Sequence, residues 1–220
     1  MRALQPLVRR VPTLTVMIGS IARPTLEASL VSIARQPLRH GDQVVVSFDG
    51  HEKNPFTFDV RSMLERFAAA PWLQICAHDA GYHWLGVEQI NFAMQAVPMT
   101  GTHVTTIGDD DVFVPGAYDV IRPVLAANPG RVVLWQFLAP DRKVMWDRKG
   151  VLEMNHISGC CAAVPVEICG LHPTARYIQH DYDWIVDAVT RSGHDPVFLE
   201  RVLVVTRPET GGCEEYLRRA

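Results

Sequence analysis

The sequence predicts an α/β fold: a mainly parallel central sheet flanked by helices. Short apolar runs bounded by Gly, Pro or Asp alternate with stretches whose apolar residues recur at helical spacing. The first three segments form a strand, helix, strand unit, whose crossover makes the two strands parallel. Asp49 and the run Asp109, Asp110, Asp111 fall where apolar runs stop, and in parallel sheets ligands gather at the carboxyl ends of strands.

Residues 14–18, LTVMI, lie between Pro12 and Gly19 and read as a buried strand. Pro24 suits a first helical turn, Leu26, Leu30, Ile33 and Ala34 follow at helical spacing, and Pro37 stops them. Residues 43–48, QVVVSF, form the second strand and end at Asp49-Gly50. A helix near 59–69, a strand at 72–76, a loop HDAGYHWLG and a helix at 86–97 come next. Residues 102–107, THVTTI, run as a strand into GDDD, and a helix over about 116–127 stops at Asn128-Pro129-Gly130. RVVLWQFL is a fifth strand and 140–156 a charged, exposed excursion. ISGCCAAVP reads as a small-residue strand, then a helix near 181–192 and a last strand VFLERVLVV.

A chain of 220 residues with 48% hydrophobic and 20% charged content is expected to be one globular domain, 1–220. The formal charge of −3 comes with no Lys/Arg run, which argues against general nucleic-acid binding. The five cysteines are odd in number, and none stands in a C-x-x-C or zinc spacing. Buried free thiols in a reducing compartment are the simpler reading. No segment approaches the roughly 20 apolar residues of a membrane span, and the N-terminus lacks a secretory pattern. A cytoplasmic protein is expected.

The triple aspartate is the sharpest signal. Three adjacent carboxylates repel one another and cost free energy if buried without compensation. Oxygen ligands of this kind suit a hard divalent ion, Mg2+ or Mn2+, which shares itself with substrate phosphates. A solvated acidic turn capping the next helix is the alternative.

Several motifs, in order, resemble the glycosyltransferases of the GT-A fold, in particular the family-2-like group. LTVMIGSIARPTLEASLVSI resembles their opening strand, nucleotide loop and first helix, and VVVSFDG their second strand. GVEQINFAM is similar to the helix that often carries an asparagine near the donor. THVTTIGDDDVFVPGAYDVI resembles the metal-binding Asp-x-Asp strand end, ISGCCAAVP the acceptor-side strand, and QHDYDWIVDAV the Glu-Asp-Tyr-Asp segment. The resemblance spans about residues 13–210, nearly the whole chain.

It implies a nucleotide-binding half over about 13–115 and an acceptor half over about 116–210. It also implies a nucleotide-sugar donor, expected to be a UDP-sugar, and a divalent metal. Gly19, Ser20 and Arg23 would line the nucleotide loop, Asp49 would contact the base and Asn91 would sit near the donor. Asp109 and Asp111 would hold the metal, with Asp110 in the donor site and an alternative ligand. Asp181 would be the general base, with inversion at the anomeric carbon. Three positions depart from the family. His180 replaces the usual glutamate, Ile90 stands where an arginine is common, and Arg207-Pro208-Glu209 follows the last strand in place of a histidine.

His180 reads as a metal ligand, a tuner of Asp181, or a surface histidine at a helix start. His78, His83, His103, His156, His172 and His194 form no zinc spacing and read as structural or surface groups. Among the tryptophans Trp146, in the charged excursion, is the best sugar-stacking candidate. No nucleophile elbow or P-loop is present. The rivals are a nucleotidyltransferase, disfavoured because GSIARPT offers only Arg23 for phosphate, and a non-catalytic nucleotide-sugar-binding domain.

Overall fold

The computed structural model describes residues 11–50, 65–67, 69–78, 86–145, 151–173 and 180–218. The apolar runs become strands β1 (Leu14–Ser20), β2 (Gln43–Asp49), β3 (Leu73–His78) and β4 (His103–Gly108). They are followed by β5 (Asp111–Phe113), β6 (Val133–Leu138), β7 (Val144–Met145), β8 (Ala162–Pro165) and β9 (Val197–Thr206). The helices are α1 (Leu26–Ala34), α2 (Val87–Ala96), α3 (Ala117–Ala127), α4 (His180–Ser192) and α5 (Glu214–Leu217).

The strands form one sheet in the order β3-β2-β1-β4-β8-β6-β9-β5, with β7 on β6. The first half is parallel throughout, β3 on β2, β2 on β1 and β1 on β4. The sheet as a whole is mixed, because β8 runs antiparallel to both β4 and β6, and β5 antiparallel to β9. The parallel reading therefore holds through the βαβ half and again where β6 runs beside β9. Between these stretches β8 arrives from the 140–156 excursion, not from a helical crossover that would return it in the same sense.

Burial follows the apolar pattern. Every residue of β2 is buried, as is the face of α1 carrying Leu26, Ser29, Leu30 and Ile33. Residues covered on both faces read as continuous apolar runs, which is why β1 and β2 were visible without alternation. Trp135 and Trp184 are wholly buried, so both are packing residues. Each satisfies its indole N–H on a carbonyl, Trp135 on Cys160 and Trp184 on Gly170. All five cysteines are free, and Cys160, Cys161 and Cys213 are buried.

Two segments differ from expectation. ISGCCAAVP is a strand only over Ala162–Pro165; Gly159–Cys161 form a 3-10 turn in which the Ser158 backbone N–H contacts the Cys161 sulfur. A short strand not expected from the sequence, β5, begins at Asp111, which pairs with Thr206. The helix expected near 59–69, most of the 78–86 loop, and Trp146 lie largely or wholly outside the described residues.

Candidate active site

The parallel register sets Gly19 of β1 beside Gly108 of β4, so the GSIAR loop and the aspartate run leave the same sheet edge. Gly19 must be glycine: a Cβ there would lie 2.5 Å from the carbonyl oxygen of Gly86, where α2 begins. Gly86 itself has φ +68°, a left-handed conformation suited to glycine. The two glycines let the first strand and the second helix touch backbone to backbone.

Asp109 turns into this junction. Ser20 Oγ donates to it at 2.7 Å and the Ile21 N–H at 3.3 Å. Arg23 lies 2.7 Å from Asp109 and also 2.7 Å from Asp110. Asp110 is held from the other side by Arg207 at 3.2 Å, and its carbonyl accepts the Arg207 N–H at 2.8 Å. Burial raises the Asp109 carboxyl above the usual range, against the pull of Arg23. Asp111 accepts the Gly108 N–H at 2.9 Å. Burial first, and the charge of Asp110 second, push it up to about 7.

Asp181, at the start of α4, has the opposite environment. Ser158 donates to Oδ2 at 3.0 Å. His180 Nδ1 lies 3.0 Å from Oδ1 and His172 Nδ1 3.5 Å from it. Burial alone would raise this carboxyl, but the His180 hydrogen bond, the two imidazoles and the Gly159 N–H together hold it down at about 2. His172 is itself lowered to about 4 by burial, so it is neutral at pH 7. There the donors His180 and Gly159, not an imidazolium at 172, keep Asp181 charged. His172 is fixed by stacking on Trp184, with ring centroids 4.3 Å apart and 12° between planes. Its backbone exchanges two 2.8 Å hydrogen bonds with the Asn91 amide.

A cleft of about 610 Å³ joins these groups. Gly19, Arg23, Asp110 and Asp111 lie on its walls together with Asp181, His180 and Arg207. Asp109 and Asn91 are buried behind the walls, the first holding the GSIAR loop and the second the backbone of His172. Asp49 ends β2, two strands from the aspartates on the same edge, and is also buried. From the sequence His172 has only a structural or surface reading, Arg207 is marked only as a departure from the family, and neither Ser158 nor Gly159 is assigned a role individually. A Cβ on Gly159 would sit 2.1 Å from Thr106 Oγ1 and 3.0 Å from Asp181 Oδ1, so this glycine brings the turn against the base candidate. The one available signal was a second histidine upstream of His180-Asp181.

Among solved structures the chain superposes on S. aureus TarS 1–349, with a TM-score of 0.69 at 13% identity, covering 90% of this chain and 61% of that one. The fold is GT-A. The TarS complex with UDP gives a TM-score of 0.69 at 14% identity, covering 90% and 62%. The Pyrobaculum calidifontis mannosyltransferase PcManGT, with GDP-Man and Mn2+, gives 0.65 at 19% identity, covering 89% and 57%. The GT-A chain described here thus spans less than two thirds of each of these proteins. No protein-family model and no curated protein matches the sequence. Among the described residues no helix is long and apolar enough to cross a membrane.

Proposed function

We propose that the chain is a metal-dependent glycosyltransferase that moves a sugar from a nucleotide-sugar donor, a UDP-sugar first among candidates, to a hydroxyl acceptor with inversion. The observation that carries this is one cleft holding two carboxylates pushed apart in charge, Asp181 at about 2 and Asp111 at about 7. Such a split marks carboxylates with different tasks. TarS was solved with UDP-GlcNAc and PcManGT with GDP-Man and Mn2+.

The donor set fits a divalent cation. Asp110 and Asp111 offer oxygen ligands to the cleft, and a carboxyl held near 7 gains from exchanging its proton for a cation. Asp111 is the favoured ligand, with Asp110 beside it. Asp109, the other aspartate expected to hold the metal, is engaged by Ser20, Ile21 and Arg23 and anchors the nucleotide loop from behind. A bound ion would supply neutralisation of the donor diphosphate. Arg23 and Arg207, both on the cleft wall, add positive charge toward the same phosphates. Asp49 contacts the base from the neighbouring strand end. The parallel half, about 13–115, binds the nucleotide, and the 116–210 half carries the acceptor.

Asp181 accepts the acceptor hydroxyl proton. A carboxylate at about 2 is a weak base, but the attacking oxygen becomes strongly acidic once it bonds to the anomeric carbon. The proton therefore leaves late, onto an Asp181 oriented by Ser158 and His180. Asp181→Asn should lower nucleotide release from UDP- and GDP-sugars by about 10²-fold or more while donor binding persists. Near-normal turnover, or a product of retained anomeric configuration, would overturn the assignment. If no donor is turned over with Mg2+ or Mn2+ but nucleotides still bind, the non-catalytic reading replaces this one.

A further inference from the structure

We propose that His172, His180 and Asp181 form a second cation site, one for a borderline transition-metal ion of the zinc class, chemically distinct from the aspartate ligands across the cleft. One ring nitrogen of each histidine and a carboxylate oxygen of Asp181 all lie within 4.8 Å of one another. The two separations to Asp181 Oδ1 are 3.0 Å from His180 and 3.5 Å from His172. Ligands at about 2.0 Å from a tetrahedral zinc stand roughly 3.3 Å apart, so both separations to Asp181 already match a zinc centre and the two imidazoles need only close on each other from within 4.8 Å.

His172 is the independent observation. Its side chain is fully buried, and neither ring nitrogen makes a hydrogen bond. A buried polar group left so costs about 1–3 kcal/mol, yet the fold invests in holding this ring. Trp184 stacks on it, and the Asn91 amide clamps its backbone from both sides, neither using a ring nitrogen. The imidazole is oriented with its donor capacity unspent and Nδ1 toward the carboxylate. A metal that takes this nitrogen removes the cost.

Two imidazoles and one carboxylate select zinc, cobalt or nickel over the hard ions that all-oxygen aspartate ligands prefer. His180 and Asp181 line the cleft, so the fourth position opens to it. That is the three-ligand, one-open pattern of catalytic zinc sites, in contrast to closed structural ones. The site stands on this geometry alone. Its consequence rests on Asp181 acting as the base: an ion bound to this carboxylate draws off the electron density that would accept the proton, so zinc inhibits transfer supported by Mg2+.

The test is titration of the metal-free protein with Co2+ in millimolar Mg2+, followed by visible d–d absorption and by calorimetry, with Zn2+ as competitor. One equivalent with intense tetrahedral absorption, displaced by Zn2+, is expected. His172→Ala and His172→Gln should each weaken it by more than about 10-fold, the lower end of what loss of even a supporting group costs. Asp111→Asn should leave it unchanged. Binding that survives both His172 variants, or is lost in Asp111→Asn, overturns the proposal, as does the absence of tetrahedral Co2+. Melting temperatures identify any variant that fails to fold, and His180→Ala then serves in its place. None of these readouts depends on glycosyl transfer, so the site can fail while the transferase reading stands, and the reverse.

Discussion

Replacing Gly159 with alanine tests how tightly Asp181, the proposed base, is built into the fold. The added Cβ would meet Thr106 Oγ1 at 2.1 Å and Asp181 Oδ1 at 3.0 Å. Thr106 belongs to β4, which is paired with β1 along its whole length, so the strand cannot yield. The 3-10 turn must move, and its Ser158 hydroxyl and Gly159 N–H are both donors to Asp181. Overpacking of a fixed interior costs about 1–3 kcal/mol. At this chain length that is a fall of roughly 2–12 °C in melting temperature. If Asp181 is the base as proposed, turnover should fall further than stability explains, because Asp181 loses oriented donors. Thr106→Ala removes the oxygen in the way. In a double-mutant cycle it should return at least half of the stability lost by Gly159→Ala, a coupling of about 0.5–2 kcal/mol, the size expected between touching groups. Additive effects within about 0.3 kcal/mol, or an unchanged melting temperature in the single variant, would refute the contact as the cause.

Two more predictions concern charge. Burial lowers His103 to about 4 from 6.5, the value in the unfolded chain. The unfolded state therefore binds the extra proton first, stability is full above pH 6.5, and about 2 kcal/mol is lost by pH 5; His103→Gln should flatten that part of a urea-midpoint profile. Removing Arg23 leaves Asp109 buried without its cation. Arg23→Ala should cost roughly 2 kcal/mol, less than the 3–5 of a wholly buried pair because Arg23 is 27% exposed; denaturant titration checks this, and Asp109→Asn in the same chain should recover most of it.

The parts legible in the sequence were those set by local pattern. LTVMI, the Leu26/Leu30/Ile33 spacing and QVVVSF specify a βαβ unit ending at Asp49, and THVTTI, parallel to β1, brings the aspartate run to the same edge. Strand sense beyond β4 was not legible, because pairing direction depends on how a long connection returns, and no residue of AAVP encodes it. The surroundings of Asp181 were hidden for a similar reason. His172 and Asn91 meet across 81 positions, and a buried imidazole reads in sequence like any other scattered histidine. The contacts of Asp109 were equally hidden: the motif marks the aspartate, and only the folded chain brings Arg23 and Ser20 onto it behind the cleft wall.

The pairing of β5 with β9 carries a consequence for how the protein is made. Asp110 and Arg207, 97 residues apart, are neighbours in the finished fold, and Asp111 lies opposite Thr206. A ribosome adding roughly 5–20 residues per second takes on the order of 5–20 s to bridge that gap. Throughout that interval the emerging chain carries three adjacent acidic side chains with no strand beside them and no Arg207 across from them. Thr206 and Arg207 line the cleft, so its wall is complete only once β9 has been made and has paired with β5.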